Sequence, residues 1–397
     1  MSSSIKKPAR ATVCVWAGER SHDSYERSTQ VPVVHSVSFG YQDIDTWHAV
    51  ALGKEEGHIY SRNTNPTVRA FEEKIRDLEG AEAATSFSTG MAAISATFFT
   101  FLRPGDRVVS IKDSYGGTNK LFTEFLPPFG VRVRLCDTSD FTRIEAEIEA
   151  GCKLLYLETP TNPTVKLIDI PRLAEAARAA GAIVVVDNTF ATPINQNPLE
   201  LGADLVLHSA TKFLGGHADA MGGAACGSKA LIEQLYHFRE INGATLSPAD
   251  AYNLLRGMKT LSLRVERQNT SALTIASWLQ KHPKVEHVNY PGLSSHPNHD
   301  VAVRQMRGFG GVLSFSVRGG LEGIKRFLPR LQHAHLAANL GCVETVVGPP
   351  LVTSHVECTA EERAAAGIPE GLVRYSTGIE NVEDLISDLD QALAALS

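Results

Sequence analysis

The feature that most constrains this chain is a repeated alternation of short, mostly apolar runs with segments of helical spacing. The runs fall at residues 107–111, 131–135, 153–157, 182–186 and 203–207. Among the helical segments, Val68, Phe71, Ile75 and Leu78 form a stripe across 67–78 that Gly80 ends. A second helix opens at Ser88-Thr89-Gly90 and continues from Met91 through Phe101 to the stop at Pro104-Gly105, and a third occupies 171–180. Strands buried on both faces read as continuous apolar runs, and strands separated by helices give a mostly parallel sheet with helices on both sides. Such sheets bind ligands beyond the carboxyl ends of their strands.

Three of those ends carry polar clusters. Residues 153–157 run into Glu158-Thr159-Pro160-Thr161-Asn162-Pro163, 182–186 into Asp187-Asn188-Thr189-Phe190, and 203–207 into His208-Ser209-Ala210-Thr211-Lys212. Past residue 253 the pattern changes to longer helices, such as 255–277, with strands at 285–289 and 311–317. A chain of 397 residues, 43% hydrophobic, exceeds what one core organises. The expected division is an arm at 1–55, a large domain at 56–252 and a C-terminal domain at 253–397.

Charge narrows the partners. With 38 basic against 44 acidic residues and a net charge of −6, the chain has no positive field for a nucleic-acid backbone, so small molecules are the expected ligands. Cys14, Cys136, Cys152, Cys226, Cys342 and Cys358 show neither a Cys-x-x-Cys pair nor zinc spacing. They read as reduced thiols, and no metal site is expected. Residues 1–10 are rich in Ser and Lys, and no run reaches the ~18 apolar residues of a membrane span. A soluble, cytoplasmic protein without membrane contact is expected.

Lys212 follows a buried strand and precedes Gly215-Gly216, a position where partial burial eases loss of its proton and a neutral amine forms imines. Taken singly, a lysine at a strand end is a surface residue. Asp187, 25 residues earlier at the end of the preceding strand, supplies a carboxylate able to pair with a protonated ring nitrogen; its ordinary alternatives are a helix cap or a metal ligand. Ser88-Thr89-Gly90-Met91 offers hydroxyls and amides at a helix start, which suits a phosphate but also ordinary capping. Ser209 and Thr211 flank the lysine on alternate positions of an expected extended segment, so both hydroxyls face one anion.

These residues resemble the Cys/Met-metabolism enzymes that depend on pyridoxal 5′-phosphate (PLP), a family that includes cystathionine γ-synthase, cystathionine γ-lyase and methionine γ-lyase. The resemblance runs from about Thr29 to the C-terminus. It is carried by 60–67 (Tyr-Ser-Arg-Asn-Thr-Asn-Pro-Thr), 114–118 (Ser-Tyr-Gly-Gly-Thr), 158–163, 187–190, the lysine segment, and 373–380 (Val-Arg-Tyr-Ser-Thr-Gly-Ile-Glu). It implies an α/β, aspartate-aminotransferase-like (type I) fold: a large PLP domain with a mostly parallel sheet, and a smaller α+β C-terminal domain. It also implies a Schiff base at Lys212, with Asp187 on the ring nitrogen. Thr89, Gly90, Met91, Thr189, Ser209 and Thr211 lie about the cofactor, Tyr115 stacks on its ring, and Asn162 bonds its phenolic oxygen. Tyr60 and Arg62 reach the phosphate from the neighbouring subunit, making shared sites in a homo-oligomer, a homotetramer built of dimers. Arg374 clamps the substrate α-carboxylate, and Asn339 and Leu340 lie beside it.

The departures fall on the substrate side. Asn339-Leu340-Gly341-Cys342 stands where many relatives read Ser-Leu-Gly-Gly, and 348–355 differs from the usual Pro-Ala-Ser-Met-Thr-His type. Methionine γ-lyases carry a cysteine where this chain has Gly117. The implied reaction is γ-elimination or γ-replacement on a homoserine-, cystathionine- or methionine-like amino acid. Lys212 moves the Cα proton, Asp187 keeps the ring protonated, and Tyr115 serves as acid for the leaving group. The alternatives are a β-lyase on cystathionine or cysteine conjugates and a γ-lyase with a non-sulfur leaving group. A transaminase and a non-catalytic binding protein are more distant readings.

Overall fold

The computed structural model of the protein describes residues 8–19, 27–356, 359–365 and 367–396. Cys358 and most of residues 1–10 lie outside the described residues. Seven strands form the larger sheet: β1 (Ala83–Phe87), β2 (Arg107–Ile111), β3 (Arg132–Cys136), β4 (Leu154–Glu158), β5 (Ile183–Asp187), β6 (Leu205–Ser209) and β7 (Gly223–Gly227). Their order is β1-β7-β6-β5-β4-β2-β3. The pairs among β2 to β6 are parallel, whereas β7 runs antiparallel to both β1 and β6. The five strands expected from apolar runs all exist, each within two residues of its expected bounds.

Alternation along each strand splits the core in two. In β4, Leu154 and Tyr156 pack with the helix Gly90–Phe101, while Leu155 and Leu157 pack on the opposite face with the helix Ile170–Ala179. All five β4 residues are buried, as the continuous run requires. Asn65 caps the helix Pro66–Glu79, which has Pro66 in its first turn and ends at Gly80 with φ +70°.

β1 and β7 carry no run of large apolar residues, and the sequence reading omitted them. β7 reads Gly-Ala-Ala-Cys-Gly because the chain passes very close to its neighbours: a Cβ on Gly223 would lie 2.1 Å from the carbonyl oxygen of Thr89. That contact seats the start of the helix Gly90–Phe101 against the sheet.

A second sheet, ordered β10-β11-β12-β9-β8, contains β8 (Val285–Asn289), β9 (Val312–Val317), β10 (His335–Leu336), β11 (Val346–Gly348) and β12 (Leu372–Ser376). Its core joins Phe315, Phe327, Val373 and Tyr375 to the helices Leu261–Leu279 and Val382–Leu393. In the region expected to form an arm, the helices Arg10–Trp16 and Ile44–Ala51 appear. Among the described residues no helix is long and apolar enough to cross a membrane.

The expected single helix at 255–277 is two, Pro248–Met258 and Leu261–Leu279. Gly257 sits where a Cβ would lie 2.1 Å from the carbonyl oxygen of Gly215, so this helix end abuts the turn that follows Lys212. Buried Arg264 fills the break. Its guanidinium donates to the carbonyls of Phe213 (2.8 Å), Leu214 (3.3 Å) and Gly257 (2.8 Å). Arg264→Met would strand three buried acceptors at about 1–3 kcal/mol each before relaxation. We expect a loss of at least about 3 kcal/mol in urea unfolding. A loss under about 1 kcal/mol would show that Arg264 does not hold this turn.

Candidate active site

β4, β5 and β6 lie side by side and parallel, so their carboxyl ends share one rim. Register pairs Glu158 with Asp187 and Asp187 with Leu207, which sets Lys212 five residues beyond Asp187's neighbour. A cavity of about 250 Å³ opens on this rim. Of the residues singled out from the sequence, Thr89, Gly90, Met91, Tyr115, Asn162, Asp187, Thr189, Ser209, Thr211, Lys212, Leu340 and Arg374 line it. Asn339 reaches it through Lys212, as described below. Tyr60 and Arg62 do not line it: they lie exposed, the Arg62 guanidinium 5.4 Å from the centre of the Tyr60 ring.

The segment 209–212 is not extended. The chain turns directly after β6, with Lys212 N–H donating to Ser209 O (3.2 Å) and Gly215 N–H to Ala210 O (2.9 Å). The turn takes up the Ser209 and Ala210 carbonyls within itself, and Arg264 holds its far end through the carbonyls of Phe213 and Leu214. Ser209 and Thr211 still face the same cavity from this turn.

Burial, reinforced by the nearby Arg374 cation, lowers the Lys212 pKa to about 8. At pH 7 about one amine in ten is then neutral, against about one in three thousand for an unperturbed lysine. The Lys212 Nζ donates to Asn339 Oδ1 at 2.8 Å. Asp187 accepts from the Thr189 amide (2.9 Å) and the Tyr156 hydroxyl (3.3 Å). Both partners are neutral. Burial raises the Asp187 pKa against these hydrogen bonds and the nearby His208, and an arriving cation would favour its charged form.

Arg374, on β12, crosses to this rim. Its Nη1 donates to Asn162 Oδ1 (3.2 Å) and its Nη2 to the Asn339 carbonyl (2.9 Å), and burial lowers its pKa to about 10. His355 forms a 3.0 Å bond with Ser354 Oγ, and burial together with Arg374 lowers its pKa to about 4, which leaves the imidazole neutral.

The sequence reading omitted several lining residues. Glu158 accepts the amides of Tyr115 (2.8 Å) and Asn162 (3.2 Å), tying two loops to the end of β4. Burial first, and then the adjacent Asp187, push its pKa well up. Its place at a strand end, level with Asp187, was the available signal. Ala338 also lines the cavity from a loop with no periodic pattern, and Thr353 and Ser354 line it from the 348–355 segment already set apart as a substrate-side departure. A Cβ on Gly117 would lie 3.0 Å from both Met91 Sδ and a Tyr115 ring carbon, so the glycine lets these two residues close together.

The groups suit PLP. At the start of the helix Gly90–Phe101, Thr89 caps the Ala92 and Ala93 amides, and the amides of Gly90 and Met91 lead the helix ahead of them. A Cβ on Gly90 would lie 2.7 Å from Ser209 Cβ, which places the Ser209 hydroxyl directly at that helix start. Beside this anion cradle stand an amine of depressed pKa and a buried carboxylate lacking a cationic hydrogen-bond partner. Among the described residues no cluster of three or more His, Cys, Asp or Glu could hold a metal ion.

Comparison with known proteins agrees with this chemistry. The chain is 45% identical over 366 residues to an L-methionine gamma-lyase of Fusobacterium nucleatum subsp. polymorphum, covering 91% of this chain and 93% of the relative. It is 44% identical over 359 residues to a cystathionine gamma-lyase of Bacillus subtilis, covering 90% and 94%. The crystal structure of a cystathionine gamma synthase from Xanthomonas oryzae pv. oryzae in complex with cystathionine superposes with a TM-score of 0.92 at 39% identity, covering 98% of each chain. The family model for the Cys/Met metabolism PLP-dependent enzymes matches residues 11–394, and this chain belongs to that family.

Proposed function

We propose that this enzyme carries out PLP-dependent γ-elimination or γ-replacement on an amino acid of the homoserine, cystathionine or methionine type, with Lys212 as its reactive amine. The observation that carries the reading is a single cavity lined by Lys212, Asp187, Arg374 and the amide-bearing start of the helix Gly90–Phe101. The γ-lyase and γ-synthase names of the relatives support the position of the bond that is broken.

Lys212 would hold the cofactor aldehyde carbon, Asp187 the ring nitrogen and Asn162 the phenolic oxygen. Thr189 would brace Asp187 through its amide, and Tyr115 would cover the ring face. Gly90, Met91, Ser209 and Thr211 would hold the phosphate beside Thr89. Bound there, PLP supplies an electron sink for the charge left on Cα when its proton is removed.

The chain's own groups do the rest. Arg374, with two donors already fixed by Asn162 and the Asn339 carbonyl, orients a substrate carboxylate. Leu340 walls the cavity beside it. Neutral Lys212 Nζ takes the Cα proton and carries it. Tyr115, its main chain tied to Glu158, offers its hydroxyl proton to the departing group. Asn339 holds the lysine amine between these transfers.

Tyr60 and Arg62 belong to this reading through a second copy of the chain. Exposed and stacked on one another outside their own cavity, they would supply a guanidinium to the partner's phosphate site. Ile44 (78% exposed), Trp47 (50%) and Leu52 (54%) leave an apolar surface on the same N-terminal stretch, which suits burial in a homotetramer of dimers. A cytoplasmic location fits the free, buried cysteines.

Three outcomes check the proposal. Apo-protein mixed with PLP should gain a visible absorption band that Lys212→Ala lacks; equal bands in both proteins would remove Lys212 from its role. The capture rate should rise about tenfold per pH unit below about 8 and level off above it, because only the neutral amine attacks. A flat profile from pH 6 to 9 would contradict the depressed pKa. Mixed oligomers of Arg62→Ala and Lys212→Ala subunits should regain activity that neither parent shows, and inactive mixtures would exclude sites shared across the subunit boundary.

A further inference from the structure

The amine of Lys212 does not end at Asn339: it begins a chain of three hydrogen bonds. Lys212 Nζ donates to Asn339 Oδ1 (2.8 Å), Asn339 Nδ2 donates to Cys342 Sγ (3.3 Å), and the Cys342 thiol donates to the Leu340 carbonyl (3.7 Å). Asn339 and Cys342 each accept one hydrogen bond and donate one, so the directions agree from the lysine amine to the Leu340 carbonyl. Burial raises the Cys342 pKa, which keeps the thiol protonated and able to donate.

The segment bearing Asn339 and Cys342 is fixed from several sides. Gly341, at φ +76°, leaves no room for a Cβ, which would lie 2.7 Å from the backbone nitrogen of Phe213, the residue after Lys212. The Gly341 amide donates to Ser376 Oγ (2.8 Å), Gln268 Nε2 donates to the Cys342 carbonyl (2.9 Å), and Arg374 holds the Asn339 carbonyl. The main chain is therefore set. What remains free in Asn339 is which end of its amide faces the lysine.

That choice matters to a base. An amide oxygen facing Lys212 accepts from the amine and leaves the nitrogen lone pair open once the lysine is neutral. An amide NH2 facing Lys212 would donate into that lone pair and occupy it.

We propose that Cys342 is a positioning residue for Lys212: by accepting the Asn339 amide N–H, its sulfur fixes the amide oxygen on the lysine and keeps the neutral amine's lone pair available. The inference rests on the reading of Lys212 as the reactive amine. Arg374 and Cys342 act on Lys212 electrostatically, Glu344, Arg264 and Asp219 act on Cys342, and Asp187, Glu158 and Tyr115 line the same cavity as the lysine.

The test uses full-length apo-protein and competitive acetylation of Lys212 by acetic anhydride across pH, read by peptide mass spectrometry. Neutral lysine reacts, so the plateau at high pH reports how open its lone pair is. Cys342→Ala should lower that plateau about fivefold. Cys342→Ser, whose hydroxyl both accepts and donates, should restore it. Should the alanine variant fail to fold, Cys342→Val fills the space without an acceptor and should show the same loss. In an Asn339→Ala background, Cys342→Ala should change nothing further, because the sulfur acts only through that amide.

An unchanged plateau in a folded Cys342→Ala or Cys342→Val protein would overturn the proposal. So would a serine variant as slow as alanine, or an equal loss without Asn339. These readings need no cofactor, so they fail or succeed separately from the PLP-capture experiment that tests Lys212 itself.

Discussion

The site depends on one constraint: β4, β5 and β6 are parallel neighbours, and each ends on a functional group or runs into the turn that bears one. Glu158 and Asp187 close their strands in register, and β6 runs into the turn bearing Lys212. Parallel pairing forces all three carboxyl ends to one edge, so amine and carboxylate meet around one cavity without any long loop to bring them there. Two residues that line one cavity thus lie 25 apart in the chain.

The second unit completes what the sheet begins. Arg374 from β12 and Asn339 from the loop before β11 bond to Asn162 and to Lys212, groups at the ends of β4 and β6. Arg264, from the long helix that joins both cores, secures the turn beyond Lys212. The lysine is thus held from three directions: the strand that precedes it, the Arg264 guanidinium below its turn, and the Asn339 amide at its tip. A base with four rotatable side-chain bonds needs this support to return to one position. Burial then lowers its proton affinity to match.

Much of this was legible in the chain. Leu154 to Leu157 and Val184 to Val186 are buried on both faces, and that burial writes itself as uninterrupted apolar sequence. Asp187 and Lys212 could be read because strand ends are where such sheets place ligands. β7 was not legible: close approach to Thr89 and Asp204 demands glycine and alanine, which erases the usual strand signature. The break near Thr260 was hidden because it arises from contact between Gly257 and Gly215, a tertiary fact without a local signal. Glu158 stood in a quoted motif, yet its task of tying Tyr115 to Asn162 shows only once both loops are in place. Thr353 and Ser354 reach the cavity from a turn that no periodicity announces.

The most direct test of the account is to load the protein with PLP, reduce it with borohydride and map the modified peptide. The account predicts a phosphopyridoxyl group on Lys212 alone, and its loss from that peptide when Asp187→Ala weakens retention of the cofactor ring. Modification of another lysine, such as Lys166 or Lys74, with Lys212 left free would contradict the assignment of the cavity and everything built upon it.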